Sequence, residues 1–365
     1  MRITSLVAST LAAVLSSVAG SAAAQPPKLE VEEVADTGSM PKGASLSPDG
    51  RRLYVTNFGQ LDRKNIGIYD AETLQPLGHI DVPGNVVESV LSHDGKTIYA
   101  SNFRRSSVMF IDVASRAVTR EIHTGTHPKI LVLSPDGRSL FAANWAAHSV
   151  TQIDVADGTI VRTLQTGKQP RGMAMTKKGV LYIANFFGES IDVYSGKDLA
   201  DHHRIKTCKI PRHLALSPDE RTLYISCLTA SQLHAMDVAT EKVVHHAPLG
   251  DAPKSIDVSA DGRYVYSADF GSTHSVSVVD TRDFTSRTYT VPGMDRGSGV
   301  VVTKDGHHAI VTGWFDNHVY RVGFEGGGGH PAQAMARIRR WIGRPKTPGP
   351  TDGSEGPKAG ATARK

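Results

Sequence analysis

The chain has very little cysteine: Cys208 and Cys227 are the two in 365 residues. That excludes a disulfide-dense scaffold, and no C-x-x-C-H run is present to attach haem covalently. Catalytic signatures are missing as well. There is no G-x-S-x-G elbow, no Walker A loop and no H-E-x-x-H, and no Ser-His-Asp arrangement can be picked out. No segment before residue 330 keeps a helical period. Long apolar runs are confined to Ile3–Val18, a stretch too short and too rich in Ala and Ser for a stable membrane anchor. Arg2 precedes that run and Ala22-Ala23-Ala24 follows it, so residues 1–24 read as a cleavable signal peptide with Gln25 as the mature N-terminus. No cysteine lies near that point, which argues against a lipoprotein. No transmembrane segment is expected after removal of the signal.

Charge of one sign is also scarce in the body of the chain. The formal +5 resides mostly in the last segment, His330–Lys365, where eight basic residues face Asp352 and Glu355. The remainder is nearly neutral, which excludes a wholesale nucleic-acid surface and leaves any attraction to anions local.

What is present is a repeat. SPDGRRLYVTNF at 47–58 returns as SHDGKTIYASNF at 92–103 and SPDGRSLFAANW at 134–145. It returns again as TKKGVLYIANFF at 176–187 and SPDERTLYISCL at 217–228. The last copies are SADGRYVYSADF at 259–270 and TKDGHHAIVTGW at 303–314. The spacing of about 43 residues is that of propeller blades. Each repeat holds four strand patterns, exemplified by Ile130–Leu133, Leu140–Asn144, Ser149–Asp154 and Thr159–Gln165, with the S-P-D-G step as a type I turn between the first two. The reading is an all-β, seven-bladed β-propeller of four-stranded antiparallel blades over residues 25–325. Its last repeat has strands at Val300–Thr303, Ala309–Thr312 and His318–Phe324 and then runs into Gly326–Gly329 without a fourth. The alternating Leu29–Val34 supplies that strand and closes the ring. Residues 326–365 read as a Gly-rich linker, a short basic segment at Ala332–Ile342 and a disordered tail with weak attraction to anionic surfaces.

With Tyr54-Val55-Thr56-Asn57, the S-P-D-G turns and steps such as Ile111-Asp112-Val113-Ala114-Ser115, the chain resembles the YVTN family of exported bacterial propellers over roughly residues 29–324. WD40 propellers fit less well, because no repeat carries Trp-Asp at the end of its third strand. The resemblance implies an extracytoplasmic propeller, in the periplasm or secreted, and no particular activity.

Antiparallel order brings the start of each first strand to the face where the second strand ends. Lys42, Lys129, Arg171, Arg212 and Lys254 each follow a proline at that start and are expected to ring the channel mouth. Arg296 is assigned to the same ring on a different offset, while Val87-Glu88 occupies the step in the second repeat. Asn57, Asn102, Asn144, Asn185 and Asp269, with Trp145 and Trp314, form a candidate polar and aromatic rim. Such a face suits an anionic small molecule, polymer or protein partner of the cell envelope. A structural role for the repeated Asn and cations is the competing reading. The carboxylates that end the third strands, including Asp70, Asp112, Asp154 and Asp237, lie at the other face and read as turn caps.

The functional expectation is therefore a binding or scaffold module, with no cofactor predicted and catalytic residues unknown. A lactonase-like hydrolase or lyase over the channel is the alternative, with His213, Asp269 and His274 as its candidates. A haem- or metal-binding propeller is a third, with His148, His213, His274 and His318 converging over the channel. The doublets His202-His203, His245-His246 and His307-His308 read as solvated. Cys208 lies three residues before Pro211, and Cys227 replaces the usual Asn of its repeat. Both reach the same face, so either a disulfide or two separate buried thiols fits.

Overall fold

A computed structural model describes residues 28–324. The expected signal peptide, linker and basic tail lie outside the described residues. Within them, every regular element is a strand except one 3-10 turn at Lys197–Leu199. Seven four-stranded antiparallel sheets succeed one another along the chain. Blade three shows the plan: Pro128–Leu133, Ser139–Asn144, Ser149–Asp154 and Ile160–Gln165, from the channel outwards. Adjacent inner strands touch all the way round, including the first with the seventh.

The turns form as their residue types dictate. In blade one, Asp49 accepts from the Arg51 amide at 3.0 Å and the Ser47 hydroxyl accepts from the Arg52 amide at 2.9 Å. Gly50 takes the left-handed φ of 75° that ends the turn. The same Ser/Thr-x-Asp clasp recurs at Ser92/Asp94, Ser134/Asp136, Ser217/Asp219, Ser259/Asp261 and Thr303/Asp305. At the same face, away from the channel mouth, Asp70, Asp112, Asp154 and Asp237 cap the turns after the third strands through backbone amides.

Period two along the second strands divides the core. Tyr54 faces the seam between blades one and two, whereas Leu53 and Val55 face the seam with blade seven. The result is seven apolar clusters, one at each blade–blade seam. No blade can bury its faces alone, so the ring is the stable unit.

Blade seven is completed by the N-terminal strand Leu29–Asp36, paired antiparallel with His318–Phe324 from Leu29↔Phe324 to Asp36↔His318. Glu32 of that strand is buried and ion-paired to Arg321. It also meets His308 Nε2 at 3.1 Å, while His308 Nδ1 meets Asp305 at 2.8 Å. His308, read from sequence as solvated, is only 4% exposed. The closing strand is expected to bring Glu32 to blade seven, but the alternating pattern leaves open its burial against His308 and Arg321.

Candidate functional site

The channel mouth is built by one local device repeated seven times. The first residue of each inner strand pairs with the last of the second strand, as in Pro41↔Asn57 and Pro211↔Cys227. Pairing then shifts within the next two or three residues in every blade. Such bulges re-aim side chains, and in six blades the second residue of the inner strand lines the channel, whereas in blade two Val87 holds that step and Glu88 after it reaches the cavity. Lys42, Lys129, Arg171, Arg212 and Lys254 line one cavity with Glu88, His213 and Ser298. The space left between them is about 20 Å³, enough for one water or small ion. A Cβ at Gly43 would stand 2.1 Å from the Glu88 carboxylate, so only glycine lets that acid lean across.

Five cations thus face one carboxylate, largely out of water: Lys42, Arg212 and Lys254 are below 10% exposed. Burial holds Lys42, Lys129 and Lys254 well below the ordinary lysine range, and their cationic neighbours add to it. Burial brings Arg171 down to about 10 and also lowers Arg212. Glu88 is raised, because desolvation outweighs the attraction of Lys42 and Arg171. Burial and then Arg212 push His213 down to about 4, so its imidazole is neutral at ordinary pH.

Aromatic rings overlie the cations. Lys254 Nζ lies 3.9 Å from the centroids of both Phe270 and Trp314, and Lys129 Nζ lies 4.0 Å from that of Trp145. Phe186 serves Arg171 at 5.2 Å and Arg212 at 5.7 Å. Ring faces favour nearby cations, so this collar lessens the cost of holding unpaired positive charge.

Several expected site residues stand elsewhere. Arg296 is not in the tier of five. Its carbonyl accepts from the Trp314 amide, just as those of Met40, His127, Gln169, Ile210 and Ala252 accept from the residue after each second strand. It therefore occupies the left-handed turn position, at φ 62°, and Ser298 takes the seventh channel place. Arg296 instead packs over Phe270 and Phe315. The amides do not form an open rim: Asn57, Asn102, Asn144 and Asn185 are 0–2% exposed. Asn57 and Asn102 donate to the carbonyls of Lys64 and Pro83, and Asn144 and Asn185 to side chains of their own blades. Asp269 is buried among the hydroxyls of Ser267, Ser275 and Ser277, and desolvation pushes its carboxyl up to about 7 despite them.

The histidine candidates do not converge. His148 Nδ1 accepts from the Gln169 amide, His213 Nδ1 from that of Ile256, His274 faces Asp295 at 3.4 Å, and His318 faces Asp36 and Asp316. Among the described residues no hydrogen bond or ion pair joins any two of His213, Asp269 and His274. The channel is occupied by fixed cations, and that surrounding disfavours a metal cation at His213.

Cys208 and Cys227 are disulfide-bonded, with Cα atoms 5.9 Å apart. The pair has a reason in the repeat. In other blades a glycine three residues before the inner strand packs on the Asn: a Cβ at Gly38, Gly125 or Gly167 would lie 2.6–2.7 Å from the amide carbon of Asn57, Asn144 or Asn185. Blade five replaces both partners at once, Gly by Cys208 and Asn by Cys227. That paired departure is visible in the sequence once the seven repeats are aligned on both positions.

The fold and site define a closed seven-bladed propeller with a cation-lined, aromatic-collared channel mouth. The family model described as YNCE-like beta-propeller matches residues 86–323, and the chain belongs to that family. It is 25% identical over 169 residues to Antigen Lp49 of Leptospira interrogans, which covers 40% of this chain and 37% of that protein. The chain thus spans well under half of that curated relative. Among solved structures it is similar to Kuenenia stuttgartiensis Hydrazine Synthase, with a TM-score of 0.67 and 19% identity over 79% of this chain and 97% of that one. That likeness bears on the fold alone.

Proposed function

We propose that the protein is an exported binding module that captures a small anion, or an anionic group of a larger ligand or partner, at the channel mouth. The observation that carries this reading is the imbalance of five inward cations against Glu88 in a nearly dry cavity. Buried charge without a counter-charge is costly, and an anion is the species that relieves it. The apolar N-terminal run supports export, as does a disulfide, which persists in an oxidising compartment.

The test uses the full chain and three probes, chloride, sulfate and inorganic phosphate, at constant ionic strength. At least one is expected to raise the melting temperature saturably, by mass action on the folded state (about 2.7 kcal/mol at a hundred times Kd). Replacing Lys129, Arg171 and Arg212 together by Met should abolish that response with the circular dichroism unchanged. Full retention of the response would overturn the reading.

A further inference from the structure

The corner of blade five that holds the disulfide contains more than a covalent staple. Among the described residues, Cys208, Cys227 and His234 form a group whose two sulfurs and one ring nitrogen all lie within 4.8 Å of one another. His234 stands seven residues after Cys227, the register at which Thr151 and Asp192 hold the Asn of blades three and four. With no amide to hold, its Nδ1 is buried and makes no hydrogen bond. His246, on the neighbouring outer strand, pairs directly with His234, their ring centroids 6.2 Å apart.

We propose that reduction of the Cys208–Cys227 bond turns this corner into a binding site for a thiophilic d10 cation, zinc(II) or copper(I). The ligands are both sulfurs, His234 and, after a side-chain rotation, His246. Two thiolates with imidazole suit these ions. A tetrahedral centre with metal–sulfur bonds of about 2.3 Å needs sulfurs about 3.8 Å apart, which side-chain rotation at this Cα spacing permits.

The reductant is a dithiol. Its thiolate attacks Sγ of Cys208, the half-buried partner, while Cys227 is fully enclosed. The S–S bond breaks, and its electron pair leaves on Cys227 Sγ beside His234. The second thiol of the donor then resolves the mixed disulfide and releases Cys208. Two electrons and two protons pass to the protein, and the donor becomes a disulfide. The arriving cation displaces the two thiol protons to solvent.

The test reduces the full chain with a phosphine under anaerobic conditions and titrates it with cobalt(II) as a spectroscopic probe. One equivalent is expected to bind with thiolate-to-metal charge transfer and intense tetrahedral d–d bands, and zinc(II) should displace it. A parallel titration with copper(I) against a chromophoric chelator shows which d10 ion is held more tightly. His234→Ala should lower zinc affinity at least ten-fold while the charge-transfer band persists. The Cys208→Gly/Cys227→Asn variant rebuilds the glycine–amide pair of the other blades, so it should fold and bind no metal. Equal binding by the oxidised protein, no binding by the reduced one, or an unchanged affinity in His234→Ala would each overturn the proposal.

Discussion

At the scale of single residues, the most informative pair is a glycine and the amide that fills its place. Asn185 is fully buried, and Gly167 has room for no side chain above it. Gly167→Ala should therefore cost about 1–3 kcal/mol, as overpacking does, seen as a lower urea midpoint with an unchanged slope. An unchanged midpoint would show that the amide can move aside. The same pair explains why the cysteine bond was legible only in part. Sequence spacing put Cys208 and Cys227 at one face, but separate thiols fitted equally well. What decides between them is that both departures fall on positions that touch in every comparable blade. The repeated Asn residues fill the structural role that competes with a rim in the sequence, as a residue repeated from blade to blade does the same job in each. In the structure the amide turns back into its own blade while the aromatic goes forward over the cations.

At the scale of elements, the seam between first and last strands is held by buried charge. Burial pulls the His308 pKa down, but its hydrogen bonds to Glu32 and Asp305 outweigh that and raise it. A histidine raised in the fold stabilises fully below its unfolded value of about 6.5, and that contribution is lost as pH rises through the folded value. His308 should accordingly contribute a fall in melting temperature between mildly acidic and mildly alkaline pH, read as the difference between the wild type and a variant without it. His308→Gln should remove that component, and the same decline in both proteins would refute it. Glu32→Ala should cost up to about 3–5 kcal/mol, because Arg321 and His308 lose their buried carboxylate and keep only Asp305; chemical denaturation measures it. The four strands of each blade, the S-P-D-G turns and the closing strand could all be read in advance, since each rests on a local pattern. The ion network could not, because it depends on the exact register in which the closing strand meets His318–Phe324 and on which side chains that register buries.

At the scale of the whole molecule, seven blades focus five cations on one axis. The cationic positions were legible from their place after proline, and Arg296 departs from the ring because the offset of seven that places the other cations falls on Ser298 in blade seven. The depth of burial was not legible, since it depends on seven inner strands meeting. Its consequence is a pH dependence. Unfolded, Lys42, Lys129 and Lys254 titrate at about 10.4; folded, they titrate well below that. Between those values the unfolded chain binds more protons, so stability should rise with pH across that window. A bound anion should flatten the rise. Thermal melts in low salt, with and without sulfate at matched ionic strength, would show it, and a flat profile for the free protein would count against it. Ring closure also has a temporal side. The strand Leu29–Asp36 is made early and its partner His318–Phe324 only after the rest of the propeller, a wait on the order of tens of seconds at about 5–20 residues per second. Throughout that wait it is an unpaired β-edge, the kind of segment that seeds aggregation. Glu30, Glu32, Glu33 and Asp36 make it a poor template for stray strands, so the carboxylate that ties Arg321 and His308 into the finished ring also shields the unfinished one.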